Sequence, residues 1–233
     1  MSPTYHSPSS RAGVSRWATP PQSTQTIVAD GGSARVNSPC SLSSLTATVK
    51  QVTQRRNSVE RMRVVAGELR GRRIEAPEGK TTRPTTDMAR EAIFNSLGSH
   101  YDLTGARIVD CFAGTGALGI EALSRGAAHV TFIEQDRDAL ACLKQNIDDL
   151  GLAARSTIVR GDAMLHVAQC KDATLVLADP PYDFTQWDEF LALVPGNLVV
   201  AEAAALVAPP SGWESLREKR YGRTHVTFLR RLP

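Results

Sequence analysis

The sequence predicts an α/β fold built around a mostly parallel sheet. Two observations carry this. Short apolar runs alternate with helical stretches from about residue 107 to residue 194, the order expected of βαβ units. Two of these runs lead into loops of unusual chemistry, one rich in glycine and one reading Asp179-Pro180-Pro181-Tyr182. Such loops at the carboxyl ends of strands are where open α/β sheets bind ligands.

Residues 1–60 come first and show no helical or strand period. Nearly half of them are Ser, Thr, Pro or Gly, too little apolar chain to bury a core, so they are expected to be disordered. Residues 63–76 read as a short β-hairpin: Arg63-Val64-Val65-Ala66, a turn around Gly67, then Arg72-Arg73-Ile74-Glu75. A Pro/Gly/Thr-rich linker covers 77–86. Thr86 or Asp87 then caps a helix running to about Leu97.

The sheet begins with Arg107–Phe112. Ala113-Gly114-Thr115-Gly116-Ala117-Leu118-Gly119 follows, and a helix runs from Ala117 to about residue 126. The glycines match the G-x-G-x-x-G spacing of a nucleotide-binding turn, although the spacing alone does not separate a dinucleotide from another nucleoside. The strand His129–Ile133 ends in Glu134, suited to gripping ribose hydroxyls. A helix covers 137–150 with Gly151 as its C′ residue. The strand Ser156–Val159 leads to Asp162, which either caps the helix 163–169, accepts a bond from an adenine amine, or does both. The apolar run Thr174–Ala178 precedes Asp179-Pro180-Pro181-Tyr182. Two prolines remove two donors and fix two φ angles. The resulting stiff loop presents a carboxylate, carbonyl oxygens and an aromatic ring, which fit an exocyclic amine on a planar base. A helix over 187–194 and strands near 198–202, 214–221 and 224–230 complete the chain, the last two as an antiparallel hairpin around Gly222-Arg223.

Composition excludes several classes. No run of 18 apolar residues occurs, so no membrane span is expected. Cys40, Cys111, Cys142 and Cys170 lack C-x-x-C or zinc spacing, so no metal site is expected and a reducing, cytoplasmic setting is. The net charge is +3, and Arg11, Arg16, Arg35, Lys50, Arg55 and Arg56 place the excess in the first 60 residues. Positive charge elsewhere is local. Arg61, Arg63, Arg70, Arg72 and Arg73 cluster, with Lys80 and Arg83 following; arginine forks suit phosphates. A second stretch, Arg217, Lys219, Arg220 and Arg223, reads as a solvated face. The five histidines are scattered, and none lies near Asp179-Pro180-Pro181 in sequence.

The order strand, glycine loop, helix, strand-acid, helix, strand-Asp, helix, strand-Asp-Pro-Pro-Tyr resembles the class I methyltransferases. Four blocks narrow the resemblance to the RsmD family of bacterial 16S rRNA (guanine-N2) methyltransferases. They are Met62–Ile74; Arg83-Pro84-Thr85-Thr86-Asp87 with Arg90-Glu91 and Phe94-Asn95; Asp110–Gly119 continuing into Glu121–Ala127; and Asp179–Tyr182. After Leu198–Glu202 the family often carries a second acidic residue; here Ala203-Ala204-Ala205 follow.

The resemblance implies a Rossmann-like class I sheet of seven strands, mostly parallel with one antiparallel, plus the small N-terminal β-hairpin. It divides the chain into an extension (1–60), a hairpin-and-helix substrate segment (61–98) and a catalytic domain (99–233). Met62 falls where the family usually begins, so 1–60 is expected to be an upstream extension; a transit peptide and an RNA-binding tail are the alternatives. The implied cofactor is S-adenosyl-L-methionine, held by Asp110, Phe112, Ala113, Gly114, Gly116, Gly119, Glu134, Gln135, Asp162 and Ala163. Asp179, Pro180 and Tyr182 are the implied catalytic residues. Arg63, Arg70, Arg72, Arg73, Arg83, Thr85 and Arg90 are the implied RNA contacts. The implied substrate is 16S ribosomal RNA, within a 30S subunit or precursor, and the protein is expected to be a monomer. An adenine-N6 DNA methyltransferase and a non-catalytic RNA-binding assembly factor are the competing readings.

Overall fold

The computed structural model describes residues 62–77, 87–99 and 101–233. The expectations for residues 1–60, for most of the 77–86 linker, and for Arg83 and Thr85 lie outside the described residues.

Seven strands form one sheet: β1 (Arg107–Cys111), β2 (His129–Glu134), β3 (Ser156–Arg160), β4 (Leu175–Ala178), β5 (Leu198–Ala203), β6 (Trp213–Tyr221) and β7 (Thr224–Arg231). Their order is β3-β2-β1-β4-β5-β7-β6. The first five are mutually parallel, and β7 runs against both β5 and β6. The sheet is thus the one implied by the resemblance, with a single reversed strand.

The apolar runs are continuous because both faces of the central strands are covered. Ile108, Phe132, Leu175 and Leu177 belong to one core. Val109, Cys111, Ile133, Val176 and Ala178 belong to the other. Helix α1 (Asp87–Gly98), α2 (Ala117–Ser124) and α3 (Arg137–Asp149) cover the first face. In α1, Ala89, Ile93, Phe94 and Leu97 are buried at helical spacing. The second face is covered by α4 (Ala163–His166) and α5 (Trp187–Leu193).

Two helices are shorter than expected. Helix α2 stops at Ser124, because Gly126 takes a φ of 105°. The stretch expected as one helix over 163–169 is one α turn followed by a 3₁₀ turn, Val167–Gln169. Gly151 does follow α3 with a φ of 70°.

Residues 62–77 fold back as a turn closed by a single antiparallel bridge, Arg63 to Arg73. Val64 and Ile74 enter the first core. The turn is fastened to α2 by the buried Glu121 carboxylate, which accepts the N–H groups of Val65 (2.7 Å) and Ala66 (3.0 Å). Ser124 accepts from Leu69 N–H at 3.0 Å and donates to Ala66 O. A Cβ on Gly67 would stand 1.9 Å from the Ser124 carbonyl oxygen, so only glycine permits this approach. Asn146 of α3 pairs with both backbone groups of Glu75 and donates to Thr115 O. No helix among the described residues is long and apolar enough to cross a membrane.

Candidate active site

The register of the parallel strands builds the site. Cys111 pairs with Ile133 on one side and with Ala178 on the other. Phe112, Glu134 and Asp179 therefore leave the sheet side by side along its carboxyl edge. Glu134 pairs in turn with Arg160, which brings Asp162 to the same edge.

The glycine loop sits between β1 and α2. Gly116 has a φ of 84°, and a Cβ there would stand 2.4 Å from Leu143 Cδ1. A Cβ on Gly119 would stand 2.3 Å from Phe132 Cε1, so this glycine sets how closely α2 packs on the sheet. A Cβ on Gly114 would meet nothing within 4 Å, which leaves the loop face open to a ligand. Phe112 holds a φ of 59°, a conformation rare for an aromatic residue and one that concentrates at functional sites.

Buried carboxylates hold this loop in place. Glu134 accepts three backbone N–H groups: Gly114 at 2.7 Å, Gln135 at 2.8 Å and Asp136 at 2.7 Å. Asp110 accepts from Gly119 N–H at 2.8 Å. Burial raises the Asp110 carboxyl well above the ordinary carboxylate range; the Gly119 bond opposes this, and the charges of Asp179 and Glu134 add to it. The same edge therefore gathers three carboxyl groups, and the charges of Glu134 and Asp179 make an environment that attracts a cation and repels phosphate. Cys111 is buried beside them, and burial pushes its thiol up, so it is no nucleophile.

A cavity of about 100 Å³ opens between these groups, lined by Asp110, Phe112, Gly114 and Asp179 together with Met62 and Arg90. Ala113 and Thr115 are also at its wall. Asp162 caps α4, its Oδ1 accepting Met164 N–H at 2.9 Å, and Ala163 is buried behind it. The Asp-Pro-Pro-Tyr loop turns sharply, Phe184 N–H bonding the Pro181 carbonyl at 3.0 Å. Pro180 is buried, whereas Tyr182 is 48% exposed. Phe184 packs edge-on against Phe112 at 5.4 Å and Trp187 at 5.2 Å, locking this loop to the glycine loop.

A family model described as conserved hypothetical protein 95 matches residues 62–230. Ribosomal RNA small subunit methyltransferase D of Escherichia coli is 35% identical over 181 residues, 73% of this chain and 90% of that protein. The Bacillus subtilis protein YlbH is 38% identical over 184 residues, 73% of this chain and 99% of its own. The chain belongs to the RsmD family. The solved structure of Escherichia coli yhhF is similar too, with a TM-score of 0.64, 35% identity, and 74% of this chain and 98% of that one covered. Class I architecture follows from the sheet order and from this methyltransferase neighbour together.

The arginines expected to meet RNA are distributed unevenly in this RsmD-family chain. Arg63 donates to Gly71 O at 2.8 Å, Arg72 to Asp149 O at 2.8 Å, and Arg73 pairs with Glu75 at 3.0 Å. Arg70 is exposed. Arg90 differs from the others: it is 0% exposed, donates to Arg63 O, faces Glu121 at 3.7 Å and borders the cavity between the glycine loop and Asp179, so it lies inward of the outer arginine cluster.

Two features were missed in the sequence. Glu121 stands in the sequence as one residue of the Glu121–Ala127 stretch, yet it is the buried anchor of the N-terminal turn. His225, Arg220 and Arg223 stand beside Tyr182 around a space of about 410 Å³, although they lie far along the chain. The signal for the latter was the terminal hairpin itself, whose turn had to fall at one edge of the sheet or the other.

Proposed function

We propose that this protein is an S-adenosylmethionine-dependent ribosomal RNA methyltransferase that modifies the exocyclic N2 of a guanine in 16S rRNA, with a 30S assembly particle as substrate. The observation that carries the proposal is the placement of Asp179-Pro180-Pro181-Tyr182 against the open glycine loop, with Asp179 and Gly114 lining one cavity. The names of the relatives, ribosomal RNA small subunit methyltransferase D among them, support the substrate class.

The residues fit this cofactor. The carboxylates of Glu134 and Asp179, with the Asp110 carboxyl between their strands, would complement a sulfonium. The open face at Gly114 leaves room for backbone contact with the methionine part. Glu134 and Asp162, at the ends of neighbouring strands, serve the ribose and the adenine. S-adenosylmethionine would supply an activated methyl group, its S–C bond breaking to leave the neutral thioether, so positioning and desolvation are what remain for the protein. The Asp179 carboxylate and the Pro180 carbonyl would accept the two N–H groups of the guanine amine and so orient its lone pair. Asp179 or water takes the departing proton. Tyr182 stacks on the base, worth about 1–3 kcal/mol. A paired base cannot enter this loop, so the target is unpaired or flipped out. Arg63, Arg70, Arg72 and Arg73, with Arg83 and Thr85, supply phosphate contacts that position the RNA without reading its sequence.

The test is transfer of labelled methyl from the donor to immature 30S particles, naked rRNA and DNA, followed by nucleoside analysis. N2-methylguanosine from the particle is expected; N6-methyladenine from DNA overturns the reading. Asp179→Ala should lose most single-turnover activity and keep its donor affinity.

A further inference from the structure

The reversed strand β7 delivers something to the active edge. Its residue His225 pairs with Ala203, the last residue of β5. The β6–β7 turn, closed by the Tyr221 to Thr224 pair, therefore projects past the carboxyl ends of the parallel strands. Asp179-Pro180-Pro181-Tyr182 follows the neighbouring parallel strand to that same edge. The two meet around a space of about 410 Å³ lined by Tyr182, Ala204, Arg220, Arg223 and His225.

The chemistry of this space differs from that of the cofactor cavity. None of its lining residues is acidic, whereas Asp110 and Asp179 line the other. Two arginines and a histidine line it together with Tyr182. Arg220 uses its Nε to bond Gly222 O at 2.9 Å, which holds the side chain while its terminal nitrogens remain available for a bidentate contact. Arg223 sits one residue beyond Gly222, on the exposed turn. Tyr182 is three residues past Asp179, at most about 11 Å of chain, the reach of one nucleotide and a flanking phosphate.

We propose that Arg220, Arg223 and His225 form, with the ring of Tyr182, a phosphate-binding subsite for the RNA strand beside the target nucleotide. The proposal rests on the rRNA methyltransferase reading above and assigns where that substrate is gripped. The carboxylate-lined cavity repels the RNA backbone, so a strand presenting a base to Asp179 needs cations just outside it. The turn arginines are placed there. A base on one face of Tyr182 and a phosphate by the turn would hold the nucleotide at both ends.

Binding of a 16S rRNA fragment, titrated over salt by fluorescence anisotropy, tests this with wild type, Arg220→Ala/Arg223→Ala and Arg220→Lys/Arg223→Lys. Both side chains are exposed, so the folded state and donor affinity should be retained. The alanine pair should bind about tenfold more weakly, with a slope of log affinity against log salt shallower by about 1.4–1.8, the loss of two phosphate contacts. The lysine pair keeps its charges and should keep the slope. A wild-type slope in the alanine pair overturns the subsite, as does weakened binding with no change in slope. If wild type binds the fragment with the expected slope but methylates no rRNA, the proposed function fails while the subsite stands.

Discussion

The Glu121 carboxylate accepts the Val65 N–H at 2.7 Å, joining the start of the described chain to the helix that follows the glycine loop. Because Glu121 also accepts from Arg125 Nε at 2.7 Å and faces Arg90, its charge is balanced inside the protein. Anything that moves residues 62–77 therefore pulls on α2, and through Gly119 on Asp110.

Glu121→Ala should be among the most damaging single substitutions. It orphans two backbone N–H groups and leaves Arg90 buried without this carboxylate. A loss of about 3–5 kcal/mol is expected, as for breaking a buried ion pair. Urea unfolding measures it; a loss below 1 kcal/mol would show that the turn holds without its anchor.

Glu134→Ala should weaken S-adenosylmethionine binding by about 1.5–3 kcal/mol, the loss expected for hydrogen bonds to a charged group. It should also lower the melting temperature, because Gly114, Gln135 and Asp136 lose a common acceptor. Calorimetry with unchanged affinity would take the ribose role away from Glu134.

Asp110 predicts a pH dependence. Burial raises its carboxyl above the unfolded value, 3.8. Folding therefore favours the protonated form. Its contribution to stability is complete below about pH 3.8 and is lost as the pH rises through the folded value. Asp110→Asn stays neutral and still accepts the Gly119 N–H. Its denaturation midpoint should fall less than that of wild type as the pH rises above the unfolded value of 3.8. Parallel curves for the two proteins would locate the burial cost elsewhere.

Arg70→Ala should leave the melting temperature unchanged, since the side chain is exposed. If Arg70 neutralises one phosphate, the salt slope of rRNA binding should drop by about 0.7–0.9. An unaltered slope would remove Arg70 from the RNA footprint.

Much of this architecture was legible in the sequence because parallel strands buried on both faces read as plain apolar runs. Leu175–Ala178 and Val130–Ile133 are examples. The glycine loop was legible because each of its glycines answers a different steric demand. The helix over 163–169 was overread, since Val167 extends the apolar pattern although the chain has already tightened to a 3₁₀ turn. Glu121 was not legible as an anchor: its partners are backbone N–H groups of Val65 and Ala66, which leave no mark in the residue pattern. Arg90 entered as an RNA contact through the family block it shares with Arg83, and only packing shows that it lies 0% exposed beside Glu121 at the edge of the site cavity. Arg220, Arg223 and His225 could be joined to Tyr182 only once the pairing of β7 with β5 was known.

The reversal of β7 also separates two things that most open sheets keep entangled. The turn at 221–224 belongs to no parallel ladder, so it can be lengthened, shortened or exchanged without disturbing the Ala178 to Ala201 register that positions Asp179. Lengthening a surface turn is thermodynamically cheap, about 0.6 kcal/mol for each doubling of the loop. If the proposed phosphate subsite holds, its RNA contacts can change by insertion, deletion or grafting in one hairpin while the edge that bears Asp179 keeps its register.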